Sequence, residues 1–211
     1  MRPFLFDRDF AVNANTAMHA PEHASERLFF ALWPDAGTVD RLMAWAREAQ
    51  ALCGGRIMRP ETLHMTLAFL GETPADAARD LAREARGWNV SLGSLVLSDC
   101  GRFKGPRIVW AGPSLAEGRV GWLDALYDSL WSRLEQHGWS RPAGPFRPHV
   151  TLLRNAGPGD MSLLDAPPLA WSPTRCVLVA SRPQKGMAHY EVLASLPVSA
   201  HDRAGRHPGQ A

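Results

Sequence analysis

Two strand-like runs in separate halves of the chain carry the same pair of polar residues, and this repetition limits the possible folds more than any other feature. The first run is ETLHMTLAFLGE, residues 61–72, and the second is FRPHVTLLRNA, residues 146–156. Residues i and i+2 of a strand share a face, so His64 projects with Thr66 and His149 with Thr151, while Met65 and Val150 turn the other way into core. A single His-x-Thr among eight histidines is unremarkable. Two, each inside an apolar run and each preceded by an Arg-Pro pair (Arg59-Pro60 and Arg147-Pro148), are hard to ascribe to chance, and they would make one site only in a fold that brings the two strands together.

The intervening segments alternate between strand and helix signals. RLFFALWP from Arg27 reads as a buried strand ended by proline. A helix is expected from about Thr38 to Leu52, with Val39, Leu42, Met43, Ala46 and Ala49 on one face and CGG as its stop. After the first His-x-Thr strand, Thr73 is the expected N-cap of a second helix and Pro74 its first residue, the helix running to Gly87. VSLGSLVLSDCGRF and RIVWAGP read as a hairpin. A third helix carries Leu123, Leu126, Tyr127, Leu130 and Leu134 at helical spacing and stops at Gly138. Strands follow at FRPHVTLLRNA, TRCVLVASRP and AHYEVLASLPV. Short connections between neighbouring strands favour antiparallel pairing, hence an α+β fold. No linker divides residues 26–198, which are expected to form one domain; residues 1–25 read as a flexible leader and 199–211 as a flexible tail.

Two imidazoles facing each other across a groove can serve as general base and general acid, because imidazole titrates near neutral pH. In-line displacement at phosphorus uses such a pair: one group takes a proton from the nucleophile and the other gives one to the departing oxygen. The two threonine hydroxyls could hold the nonbridging oxygens.

Composition narrows the function classes. A net charge of +2 over 211 residues does not by itself announce nucleic-acid binding. Only Lys104 and Lys185 among the 23 basic residues are lysine, a skew that base composition explains more simply, although arginine also suits phosphate. Cys53, Cys100 and Cys176 are odd in number and lack C-x-x-C spacing, which argues against a disulfide framework or zinc knuckle and for a cytoplasmic protein. No apolar run is long enough to span a membrane, and Asp7, Arg8 and Asp9 interrupt any signal peptide.

RLFFALWPD, ETLHMTLAFLGE, RIVWAGP, FRPHVTLLRNA and YEVLASLPV, in order from about Arg27 to Val198, resemble the bacterial RNA 2′,3′-cyclic phosphodiesterases of the 2H phosphoesterase superfamily, historically called 2′-5′ RNA ligases. The resemblance implies a bilobal α+β fold with pseudo-twofold symmetry, two mainly antiparallel sheets flanking a central cleft and helices outside. It implies hydrolysis of a terminal 2′,3′-cyclic phosphate on RNA to a 2′-phosphate, without metal or cofactor. His149 would activate water and His64 would protonate the leaving 3′ oxygen, with Thr66 and Thr151 on the phosphate. By resemblance Arg154 matches an arginine that follows the second motif in that family and contacts phosphate, yet strict alternation from His149 puts it on the other face: either the strand ends or bulges before it, or the side chain curls back, or it is a solvated arginine at a strand end. Phe30, which shares a face with Leu28 and Leu32, is either a base-stacking ring by resemblance or a core residue by pattern. Expected partners are RNA 3′ ends or small nucleotides bearing a 2′,3′-cyclic phosphate, and a monomer is expected.

The remaining candidates have plainer readings. His137 ends the third helix, where a cation suits the dipole; His189 has no visible partner; His19, His23, His201 and His207 read as solvated. The tryptophans, Trp45, Trp88, Trp122 and Trp131 among them, read as packing. GRFKGPR, residues 101–107, reads as a solvated turn or an RNA-backbone contact. Rival readings are a metal-dependent hydrolase, for which each motif offers one ligand and no completing carboxylate, and a noncatalytic RNA binder, which would not need matched histidines. Within the enzyme reading the alternatives are 2′-5′ ligation, which would use the same residues in reverse, or action on another small cyclic or 2′-5′-linked nucleotide.

Overall fold

Leu28, Phe30 and Leu32 alternate with Phe29 and Ala31, and all five are buried, so the first strand must be covered on both faces. In the computed structural model, which describes residues 25–199 except 115, 117, 185 and 186, this strand is β1 (Ser25–Leu32). Apart from Ser25, which begins β1, and Ser199, whose amide donates to the Val90 carbonyl, the expected leader and tail with their four histidines lie outside the described residues. In chain order there follow α1 (Ala36–Cys53), β2 (Arg56–Ile57), β3 (Met65–Pro74), α2 (Ala75–Ala85), β4 (Leu95–Leu97), β5 (Asp99–Phe103), β6 (Ile108–Gly112), α3 (Gly121–Gln136), β7 (Val150–Arg154), β8 (Leu169–Trp171), β9 (Cys176–Gln184) and β10 (Met187–Ser195).

The fold is α+β with antiparallel strands. One half-sheet runs β10-β9-β1-β3 and the other β7-β6-β5 with β2 added beside β7, while β4 and β8 form a separate pair. The half-sheets meet where β3 and β7 pair through a single register, Met65 with Val150, so each half contributes one inner strand to the junction. Helices cover the face to which Met65 and Val150 point: α1 packs on β7 and β2, α2 on β1, β3 and β10, and α3 on β3. The large apolar core lies between helices and sheet; a smaller cluster of Phe29, Ala31, Val177 and Val179, edged by Trp33 and Tyr190, sits on the sheet's other face.

Several local expectations need correcting. Thr73 does not cap α2; its hydroxyl bonds to the Gly71 carbonyl, β3 continues to Pro74, and Asp76 accepts from the Ala77 amide in the first turn instead. Helix α1 starts earlier than Thr38 because Asp35 is its cap, accepting from both the amide and the hydroxyl of Thr38 at 2.9 Å. VSLGSLVLSDCGRF is not one strand but β4 and β5, in different sheets, since Leu95 and Leu97 pair with β8 whereas Asp99–Phe103 pair with β6. Gly138 does end α3, at φ +89°. Phe30 is fully buried and stacks on Trp88 at 5.8 Å between centroids, so it is a core residue and cannot meet a nucleotide.

Candidate active site

The junction of β3 and β7 creates the site. Because the strands are antiparallel and Met65 pairs with Val150, His64 comes opposite Thr151 and Thr66 opposite His149, on the face away from the helices. The imidazoles therefore occupy diagonal corners of a four-residue patch with hydroxyls at the other two. All four line a cleft of about 840 Å³. The four motif residues expected to lie together do so.

Each imidazole is oriented by a carbonyl two residues upstream. His64 Nδ1 lies 2.7 Å from the Thr62 oxygen and His149 Nδ1 lies 2.8 Å from the Arg147 oxygen. A carbonyl can only accept, so Nδ1 carries the proton in both rings and Nε2 is left to face the cleft chemistry. The Thr62 carbonyl is set by a short 3₁₀ turn, Pro60–Thr62, closed by the Thr62 hydroxyl donating to Arg59 at 2.8 Å. Pro148 restricts Arg147 to extended backbone and so aims its carbonyl. This is what the Arg-Pro pairs contribute.

Their surroundings differ. Phe29 stacks on His64 at 4.7 Å, Trp33 lies against it at 5.9 Å and Tyr190 meets it edge-on at 5.4 Å; His149 meets the edge of Phe103 at 5.1 Å. Burial, opposed by the Thr62 carbonyl and reinforced by Arg154, holds the His64 pKa down at about 4. Burial and Arg154 lower His149 as well. Both rings are thus neutral at pH 7 in the open cleft, and a bound anion would raise both.

A bulge returns Arg154 to the cleft. The β6–β7 ladder pairs Trp110 with Thr151 and Val109 with Leu153, so Leu152 is the extra residue; Leu152 and Leu153 are both fully buried. Arg154 consequently comes back to the side of His149 and Thr151 and lines the cleft. The turn after it is braced from the hairpin: Arg102 and Arg107 both donate to the Ala156 carbonyl at 3.2 Å, and Arg107 also reaches the Asn155 carbonyl. Two of the three basic heads in GRFKGPR are thus occupied with positioning. Strand β3 repeats the device. Its pairing with β1 skips Leu67, Leu67 and Ala68 are both buried, and Phe69 emerges in the cleft 55% exposed. The two lobes therefore present Phe69 and Arg154 at equivalent positions.

Sequence reasoning missed Phe29, Trp33, Tyr190, Phe103 and Phe69. Alternation within RLFFALWP separates Phe29 from Phe30, but a run that is apolar on both faces does not say which face meets the cleft. His137 and His189 lie away from the site, His137 against Trp88 at 5.9 Å. The cysteines are free thiols, with Cys100 and Cys176 pushed up to about 12 by burial. Among the described residues no three His, Cys, Asp or Glu side chains gather to hold a metal ion, and no helix is long and apolar enough to cross a membrane.

Gly112 lets the second motif close in. A Cβ there would stand 2.7 Å from the Pro148 carbonyl oxygen. Gly112→Ala is expected to push Pro148 and His149 away from β6, costing about 1–3 kcal/mol in a urea titration and, from displacement of the imidazole, on the order of tenfold or more in kcat.

Comparison with known proteins agrees with this geometry. A profile of the 2′-5′ RNA ligase superfamily matches residues 38–182. An RNA 2′,3′-cyclic phosphodiesterase of Escherichia coli K12 is 32% identical over 80% of this chain and 94% of its own; one from Archaeoglobus fulgidus is 27% identical over 61% and 72%. The crystal structure of E. coli LigT in apo form superposes with a TM-score of 0.67 at 30% identity, covering 83% of this chain and 98% of LigT. LigT complexed with 3′-AMP gives 0.67 at 29%, covering 82% and 99%. With the family profile spanning most of the chain and the paired His-x-Thr strands meeting at one cleft, this protein belongs to the 2′-5′ RNA ligase superfamily.

Proposed function

We propose that the protein hydrolyses the 2′,3′-cyclic phosphate at RNA 3′ ends to a 2′-phosphate. The observation that carries this reading is the diagonal pair of carbonyl-oriented imidazoles flanked by two hydroxyls and one arginine. The names of its relatives support the substrate class, and a neighbour's complex with 3′-AMP supports a nucleotide ligand. Thr66, Thr151 and Arg154 hold the nonbridging oxygens. His149 Nε2 takes a proton from water as the water oxygen bonds to phosphorus; the P–O3′ bond breaks, and His64 Nε2–H gives its proton to O3′. The negative phosphate raises the pKa of His64 as it binds, supplying the protonated acid only in the loaded cleft. The base-stacking role expected of Phe30 passes to Phe69. The reverse reaction, attack by an RNA 5′-hydroxyl, needs the same groups with acid and base exchanged. Since one chain supplies both motifs, the enzyme acts as a monomer, and its three free thiols suit the cytoplasm.

Turnover of a cyclic-phosphate oligonucleotide in excess EDTA tests the reading: the rate is expected to match that without chelator, and no turnover would overturn it. The pH profile adds a second check. The kcat/KM bell reports the free enzyme, where His64 titrates at about 4 and His149 below 6.5. Activity therefore requires one neutral and one protonated ring, and both limbs are expected below about pH 6.5. The kcat bell, reporting the complex, shifts upward. A kcat/KM bell with both limbs above pH 6.5 would contradict the proposed pair.

A further inference from the structure

We propose that Arg56, beside Arg154, forms a subsite for the internucleotide phosphate immediately 5′ of the reacting nucleotide, so that the enzyme selects RNA ends over cyclic mononucleotides. This deepens the phosphodiesterase reading and rests on it. Strand β2 is only two residues long, and its register sets Arg56 directly across from Arg154 and Ile57 across from Leu153. Leu153 is fully buried and Ile57 packs on the core, so the arginine pair faces the opposite way, into the cleft that both line.

Like charges directly opposite each other on antiparallel strands are destabilising. Here the juxtaposition is held firmly. The Met58 amide donates to Leu152 at 2.9 Å and the Gln50 amide group to Gly55 at 2.9 Å. Gly55, at φ +93°, comes so close to β7 that a Cβ would stand 2.9 Å from the Arg154 carbonyl oxygen. Among the described residues the guanidinium of neither Arg56 nor Arg154 has a hydrogen bond or ion pair, their pairing being through the backbone. Arg27, at the cleft mouth, is by contrast neutralised by Glu72 at 2.9 Å.

The two charges overlap only in part. Arg154 bears on both imidazoles and on the Tyr190 phenol, whereas Arg56, together with Arg59, bears on Tyr190 and on neither imidazole. A phosphate held among the two histidines and two threonines is therefore met by Arg154, and Arg56 is left for a second negative charge on the Tyr190 side. A cyclic mononucleotide without a 5′-phosphate has no such charge. An RNA end has one, in the adjoining phosphodiester.

The test compares a dinucleotide ending in a 2′,3′-cyclic phosphate with the same molecule whose internucleotide link is an uncharged methylphosphonate. Wild-type kcat/KM is expected to fall about tenfold on neutralising the link, the size of one charge-assisted hydrogen bond. In Arg56→Gln the two substrates should become equal, with Arg56→Lys recovering part of the preference. The dependence of log kcat/KM on log salt for the charged dinucleotide should become shallower by about 0.7 in Arg56→Gln, as for one lost single-strand phosphate contact. An Arg56→Gln enzyme that keeps the wild-type preference and salt slope would overturn the subsite. Affinities for the corresponding 2′-phosphorylated dinucleotides, charged and neutral, read the same preference without turnover. A wild type that shows the preference in binding but cleaves neither substrate would refute the phosphodiesterase and leave the subsite standing; no preference in binding or turnover would refute the subsite.

Discussion

Replacing either His64 or His149 by alanine is expected to lower kcat on the cyclic-phosphate substrate by ~10²–10⁴. The double variant should be little worse than the poorer single, because both proton transfers belong to one displacement and their losses do not add. The substitutions should leave KM closer to wild type than kcat, since the phosphate contacts proposed for Thr66, Thr151 and Arg154 would be kept. Removing His64 also empties the space between Phe29, Trp33 and Tyr190, so thermal unfolding must accompany the kinetics. His149 borders Phe103 alone among these aromatic contacts, and its removal should cost less stability. Rates within tenfold of wild type for both folded variants would remove the histidines from the chemistry.

Arg154→Ala should be the next most damaging change, lowering kcat by ~10²–10³, the cost of losing one preorganised donor to developing phosphate charge. Arg154→Lys should recover only part, because an ammonium cannot reproduce the two-pronged guanidinium contact. The side chain is exposed and ends a strand, so folding should survive. A readout independent of turnover follows from electrostatics. Arg154 depresses both imidazoles; removing its positive charge should raise both pKa values, a direction visible by NMR titration of the ligand-free protein. If the imidazole pKa values and kcat both stay put, the arginine does not face the site.

The contrast between these residues shows what the sequence could reveal. Period-two alternation placed His64 with Thr66 and His149 with Thr151 correctly, because neither motif contains a bulge. The bulges begin at the next residue in each strand, Leu67 and Leu152, and no local signal in an apolar pair such as Leu152-Leu153 marks one. Alternation therefore cannot fix the face of Arg154 or bring Phe69 into the cleft. The cleft belongs to Phe29's face and not to Phe30's, an ambiguity built into a strand buried on both sides. Arg56 lay hidden for another reason: a two-residue strand has no periodicity, and its partner Arg154 is remote in sequence. The antiparallel α+β character was legible from short connections. Joining of the half-sheets through one residue pair was not, since it depends on packing of three helices against residues scattered along the chain.

The most direct test of the central claim is to identify the end left on an oligonucleotide after hydrolysis of its 2′,3′-cyclic phosphate in ¹⁸O-labelled water. Water activated by His149, with O3′ leaving toward His64, predicts a 2′-phosphate carrying one labelled oxygen and a free 3′-hydroxyl. A 3′-phosphate product, or a 2′-phosphate without label, would contradict it.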